Sequence, residues 1–401
     1  MNPVVAFTVV MLVWTISDFV AKKTQSLLSS LFVASIIFLI GFLTGIFPHD
    51  LLTASSLLAL AGVVVGFIIV HLGTMISLDD FKKQWKTFLI GVSTVLGIGI
   101  ALWIAGLIFG GSISGSAQEG YAQARDFVIA GTGALSGGTI SVVLVQEAAL
   151  GAGLTSVAIF PVLIASLQGI IGFPLTSIIL KREAARLKGE YRAGNLTPAE
   201  VLEEEATTQS RLPSALTTTA GTLFVVGVAV LVSIGINNLT DGILNTFVVA
   251  LLLVIVLRTF GIFKPSVLGG SDALGLMMIA IMILIFGPLA TIEPSDVRAL
   301  AGPLLVAFLF GIVGIGLFSA LVGKLLGYSV PMSVAIGLTS LYGFPGTMIL
   351  SQEAARGAGE SPEEVAAIEH EILPKMIVAG FSTVTITSVI VTSVLVGHIG
   401  G

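Results

Sequence analysis

Gly131-Thr132-Gly133-Ala134-Leu135-Ser136-Gly137-Gly138-Thr139, continuing to Gln146-Glu147-Ala148-Ala149 and Gly151-Ala152-Gly153, is written again 206 residues later. The second copy runs from Gly337 through Leu341-Tyr342-Gly343-Phe344-Pro345-Gly346-Thr347 to Gln352-Glu353-Ala354-Ala355 and Gly357-Ala358-Gly359. Eleven of the 23 positions are identical, and each copy breaks an apolar stretch with glycine at its centre. Apolar segments interrupted at matching points of two halves point to a transporter's binding site.

Composition places these halves in a membrane. Of 401 residues only 10% are charged and 55% are hydrophobic, with a mean hydropathy of +1.07. That balance excludes an ordinary soluble globule. There is no cysteine, so disulfides and thiolate metal sites are excluded. The net charge of −5 carries no basic tail, which argues against nucleic acid as a partner. Asn2 to Ala21 has no cation ahead of it and Lys22-Lys23 behind it, the pattern of a retained first span.

Runs long enough for about 30 Å of hydrocarbon occur at 3–21, 26–47, 54–76, 87–110 and 155–180. They recur at 215–236, 242–260, 271–291, 301–325 and 372–396. At an offset of 216, Gly45-Ile46-Phe47 falls on Gly261-Ile262-Phe263, so the duplication covers nearly the whole chain. The expected fold is an all-α polytopic membrane protein of two inverted-topology repeats, each with five transmembrane helices and one re-entrant hairpin. Repeat 1 occupies 1–180 with its hairpin at 127–150, and a cytoplasmic linker occupies 181–212. Repeat 2 occupies 213–401, with its hairpin at 331–356.

Charge sets the orientation. Lys and Arg are retained on the cytoplasmic side of short loops. Re-entrant hairpins with both termini outside put 15 of the 18 lysines and arginines in the cytoplasm, Lys82, Lys86, Lys181 and Arg192 among them. Five crossings per half then force opposite orientations. The expected location is the plasma or inner cell membrane, with the lipid bilayer as a partner. Thr197-Pro198-Ala199-Glu200 and Ser361-Pro362-Glu363-Glu364 each read as a helix start with a capping box. The second should begin the last helix in the cytoplasm, before the membrane is reached.

Candidate substrate-binding residues are Ser136, Gly137, Gly138 and Thr139 in the first hairpin, and Tyr342, Gly343, Phe344, Pro345, Gly346 and Thr347 in the second. A helix beginning beyond each tip offers free N–H groups and a dipole that favour an anion. The hydroxyls of Ser136, Thr139, Ser141 and Thr347 are oxygen ligands suited to Na⁺. Packing is the competing reading of such glycines, as at Gly41-x-x-x-Gly45, Gly62-x-x-x-Gly66 and Gly106-x-x-x-Gly110. Pairing of the two interruptions favours the site.

Glu147 and Glu353 either tie hairpin to scaffold or couple an ion. Glu371, beside Glu369 and His370, either joins a proton relay or forms an (i, i+4) pair with Lys375 at the solvated interface. His71 reads as a packing or interfacial histidine, with titration as the alternative.

The chain resembles the glutamate:sodium symporters, which are similar in fold to the sodium-dependent 2-hydroxycarboxylate transporters. The overall plan carries the likeness, together with Leu135-Ser136-Gly137-Gly138 in the first hairpin. After that Ser-Gly-Gly the symporters have His-Gly, where this chain has Thr139-Ile140, and the Gly343-Phe344-Pro345-Gly346-Thr347 hairpin differs in wording too. The resemblance implies a homodimer built through a scaffold layer.

The expected function is secondary active transport of a small organic anion, such as glutamate or another carboxylate, by alternating access. Na⁺ is the expected coupling ion, with H⁺ as the alternative and no resident cofactor. A 2-hydroxycarboxylate carrier and a proton-coupled exporter are alternatives within transport. Outside it stand a non-transporting sensor and an intramembrane enzyme. The enzyme lacks sequence support: there is no Gly-x-Gly-Asp motif and no His-Glu-x-x-His motif.

Overall fold

The computed structural model describes residues 1–25, 27–76, 78, 82, 84–113, 117–196, 213, 216–240, 244, 246–269 and 273–400, without the side chains of 110–123. The capping box at 197–200 and most of the second half of the linker lie outside these residues. Every regular element described is helical.

The first half contains α1 (Pro3–Lys23), α2 (Ser30–Leu43), α3 (Leu57–Met75), α4 (Trp85–Ile113), α5 (Ala117–Leu135), α6 (Thr139–Gly151) and α7 (Thr155–Arg192). The second contains α8 (Thr219–Leu239), α9 (Thr246–Thr259), α10 (Ala273–Phe286), α11 (Ala301–Leu325), α12 (Val330–Leu338), α13 (Gly346–Ala358), α14 (Pro362–Phe381) and α15 (Ser388–Val396). The first four helices of each half start 216 residues apart: Pro3 with Thr219, Ser30 with Thr246, Leu57 with Ala273, Trp85 with Ala301. Local chemistry repeats with the boundaries. The Asn2 side chain caps α1 by accepting from the Val4 and Val5 amides, and Thr218 caps α8 by accepting from that of Gly221. Gly45 and Gly261 follow α2 and α9 in the left-handed region, at φ 72° and 74°.

Eight helices among the described residues are long and apolar enough to cross a membrane. Their outer faces agree. On α11, Leu305, Leu309, Val313, Leu317, Leu321 and Leu325 form an exposed leucine-rich stripe, with Leu305 67% exposed. A stripe of this size on a helix of membrane-spanning length and hydropathy suits contact with lipid. The chain is therefore an all-α membrane protein.

The structure departs from the expected spans in three places. α2 has only 14 residues, about 21 Å at 1.5 Å per residue. The Ser29 cap and Gly45 in the left-handed region cut it short of the 26–47 run. The arm of the first broken segment begins at Ala117, ten residues before the expected 127. α7 runs on as one helix to Arg192, so the first part of the expected linker is helical.

Packing sorts the helices into two blocks. α1–α3 and α8–α10 form one, in which Gly66 and Gly73 let α3 approach Val230 and Leu251. His71 belongs to this packing: its Nδ1 accepts from the Leu268 amide, and Thr74 accepts from that of Val267. The remaining helices form the other block, centred on α4 against α11, where Gly314 meets the Gly97 backbone. The two blocks touch through α7 and α2.

The charged end of α7 holds the elements flanking α12 and α13. Buried Glu183 accepts from the Ser329 hydroxyl at 2.6 Å, and Ser329 caps α12. Lys188 and Arg192 pair with Glu360 at 2.7 and 2.8 Å, and Arg192 pairs with Glu364 at 2.6 Å. Ser361 caps α14 by accepting from the Glu364 amide, so the last long helix starts where the capping box predicts.

Candidate functional site

The centre of the second block is a crossing of three interrupted segments. The first is Ser136-Gly137-Gly138, between α5 and α6. Gly137 takes φ 86°, a left-handed turn that reverses the chain. The reversal is tight enough to bring Gly133 against the Val145 side chain. The second is Thr339–Leu341, a 3₁₀ turn, followed by Tyr342-Gly343 and a cis Phe344–Pro345 peptide before α13. The third is Ser382–Thr387, a π-helical turn inserted between α14 and α15.

These three interruptions touch. A Cβ placed on Gly137 would overlap the Ser340 carbonyl oxygen, and one on Gly138 would overlap that of Val384. A Cβ on Gly343 would lie 3.2 Å from Val384. Only glycine permits such an approach of backbone to backbone. The broken segment of each half therefore meets the other across the π turn.

Hydroxyls fill the contact. Ser388, the first residue after the π turn, lies 2.7 Å from Ser136 Oγ and 2.6 Å from Ser141 Oγ, and all three side chains are buried. Thr339 and Thr383 hydroxyls are 3.2 Å apart. Among the described residues, Ser340, Thr347 and Thr387 each have a buried hydroxyl oxygen without a hydrogen-bond partner. Such orphans are uncommon in folded proteins, and each asks for an explanation. Neither α6 nor α13 has a side-chain cap, since Gly138 and Pro345 occupy the cap positions.

Aromatic rings border this polar patch. Tyr342 donates to Thr176 Oγ1 at 3.0 Å and packs on Phe173 at 5.3 Å. Phe344 stacks on Phe381 at 5.7 Å and 20°.

No protein-family model matches the chain, and no curated protein does.

Of the residues singled out from sequence, Gly137, Gly138 and Gly343 meet Val384 of the π turn, and Ser136 and Ser141 meet Ser388 just after it. Thr347 faces Gly380 of α14, where a Cβ would lie 2.8 Å from its methyl. Gly346 packs on Tyr342, and Pro345 occupies the cap position of α13 without a capping bond. Thr139 begins α6 next to Gly138.

The acids part company. Glu353 accepts from the Ser30 amide at 3.1 Å and from the Ser30 hydroxyl. It caps the start of α2 from another helix and joins the two blocks. Glu147, its partner in the repeat, is exposed. Glu371 pairs with Lys375 at 2.6 Å. That pair lines a cavity of about 390 Å³ with Gln84, Lys86, Tyr328 and His370.

Sequence reading missed the π turn. Its signal lay in Ser382-Thr383-Val384-Thr385-Ile386-Thr387-Ser388, five hydroxyls in seven residues of an otherwise apolar span. Hydroxyl side chains commonly return a hydrogen bond to their own helix, as Thr383 and Thr385 do to Ala379 and Phe381. The run alone therefore does not reveal an extra residue in the ladder. π turns recur at functional sites.

Proposed function

We propose that this protein is a Na⁺-coupled secondary transporter of a small organic carboxylate, working by alternating access. One observation carries the reading. The broken segment of each half reaches buried hydroxyls at the π turn, Ser136 bonding Ser388 and Thr339 bonding Thr383, and among the described residues the hydroxyls of Ser340, Thr347 and Thr387 lack partners. Hydroxyl and carbonyl oxygens are the ligands a hard cation takes. Ser136, Ser141, Ser340, Thr347 and Ser388 are the candidates to hold Na⁺. The uncapped starts of α6 and α13 would face the substrate carboxylate, which then needs no buried lysine or arginine.

In this reading the segments around Ser136–Gly138 and Thr339–Pro345 are the tips of re-entrant hairpins, and the halves are inverted repeats. The equal helix offsets support a duplication. The clustering of Lys188, Arg192, Glu360 and Glu364 at one end of α7 supports a solvated cytoplasmic face there. Both termini then lie outside, in a plasma or inner membrane. The two blocks supply the parting that alternating access requires, and an exposed α8 and α1 suit the scaffold of a homodimer.

Purified protein in proteoliposomes tests the function. Uptake of a carboxylate driven by an imposed Na⁺ gradient, and abolished by Na⁺/K⁺ exchange across the membrane, is expected. Absence of Na⁺-driven or H⁺-driven flux for a broad carboxylate panel would overturn it.

A further inference from the structure

α14 presents one face to two adjoining cavities of opposite character. Glu371, Pro374 and Lys375 line the 390 Å³ cavity with Lys86, His370 and Tyr328. One to two turns further on, Val378, Phe381 and Ser382 line a second of about 280 Å³, with Ile386 beyond them. Gln84 and Trp85 of the opposite wall belong to both. The rest of the second cavity is Phe88 of α4, Val248, Leu251 and Leu252 of α9, and Lys82 at its exposed edge.

Together they make a groove graded from charged to apolar. It leads to Ser382, the first residue of the π turn, and to Phe381, whose ring stacks on Phe344. The charged end carries Lys86 and Lys375 against Glu371, a net positive charge that attracts an anion. The inner part repels a second charge. Among the described residues no ionisable side chain lines it except Lys82, and an unpaired ion moved among Phe88, Leu251, Val378 and Phe381 loses its hydration without compensation. A zwitterion or dicarboxylate is the wrong shape of charge for this wall. A single carboxylate with an apolar body is the right one.

We propose that the substrate is an amphipathic monocarboxylate, bound with its branched or aromatic body in the 280 Å³ cavity between α4, α9 and α14. This rests on the transporter reading above and narrows its substrate away from glutamate.

The test uses full-length protein in detergent with Na⁺. Calorimetric affinities are measured for acetate, butyrate, 4-methylpentanoate and phenylacetate, and for succinate and glutamate. Affinity should rise about fourfold per added methylene until the cavity is filled, and succinate and glutamate should bind more weakly than 4-methylpentanoate. Val378→Phe and Leu252→Phe, which fill the cavity from opposite walls, should weaken 4-methylpentanoate at least tenfold and leave acetate unchanged. Tighter binding of glutamate or succinate would overturn the substrate class and leave the transporter reading standing. Binding of no carboxylate at all would overturn both. Equal losses for acetate and 4-methylpentanoate in both variants would overturn the cavity assignment, as would a phospholipid that co-purifies with wild type and is lost from both variants.

Discussion

Gly137 of the first half lies against the main-chain carbonyl of Ser340 in the second, so closely that no side chain fits between them. Two residues 203 positions apart thus fix where the halves meet. Gly137 also holds φ 86°, where an L-residue costs about 1–2 kcal/mol.

Gly137→Ala should therefore destabilise by more than that backbone cost and abolish Na⁺-dependent ligand stabilisation. Gly151→Ala, at a site where a Cβ would meet nothing within 4 Å, is the control. Thermal melting with and without Na⁺ and ligand checks both. Equal melting temperatures in the two variants would refute the close contact.

Ser388→Ala removes the hydroxyl shared by Ser136 and Ser141. Leaving buried hydroxyls unmatched costs about 1–3 kcal/mol, and the variant should also need at least tenfold more Na⁺ for half-maximal transport. Ser166→Ala, whose hydroxyl donates to Val162 of its own helix, should leave the Na⁺ requirement unchanged.

Glu353→Ala should loosen the two blocks, because the carboxylate caps α2 through Ser30. Loss of a helix cap costs about 1 kcal/mol. Hydrogen exchange at the start of α2 should accelerate in Glu353→Ala and change less in Glu353→Gln, which keeps an acceptor. Glu147→Ala, on the exposed counterpart, should change neither.

Glu360 predicts an acid limb. Hydrogen bonds from Lys188 and then Arg192 hold its carboxyl below the usual value of 4.5. A depressed folded value means the contribution is full above about pH 4.5 and is lost as pH falls through the folded value. Glu360 is exposed, so the effect is small and salt-sensitive. Melting temperature should fall between pH 6 and pH 3 by less in Glu360→Gln than in wild type, with the difference shrinking in 1 M NaCl.

Orientation has its own test in this cysteine-free chain. A lone Lys188→Cys should react with an impermeant thiol reagent only from the cytoplasmic side. Labelling in intact cells would contradict the inverted-repeat topology.

Sequence alone determined that this is a helical membrane protein with two alike halves. Hydropathy and length follow from the cost of unpaired backbone groups in hydrocarbon, and that cost acts on each segment locally. Ser361 acts locally too, so the start of α14 was legible, whereas the left-handed Gly45 stops α2 inside the 26–47 run that hydropathy alone suggested. The breaks at Ser136–Gly138 and Gly343–Gly346 were legible for the same local reason as the α14 start. What they touch was not. Ser388 reaches Ser136 across 252 residues, and Glu353 reaches Ser30 across 323. Identical Gln-Glu-Ala-Ala blocks came to differ, one glutamate capping a foreign helix and the other exposed, because each packs against a different neighbour. The π turn at Ser382–Thr387 is likewise a tertiary choice: an extra residue in the helix ladder persists where the glycines of the first broken segment press against it, and nothing within those six residues demands it.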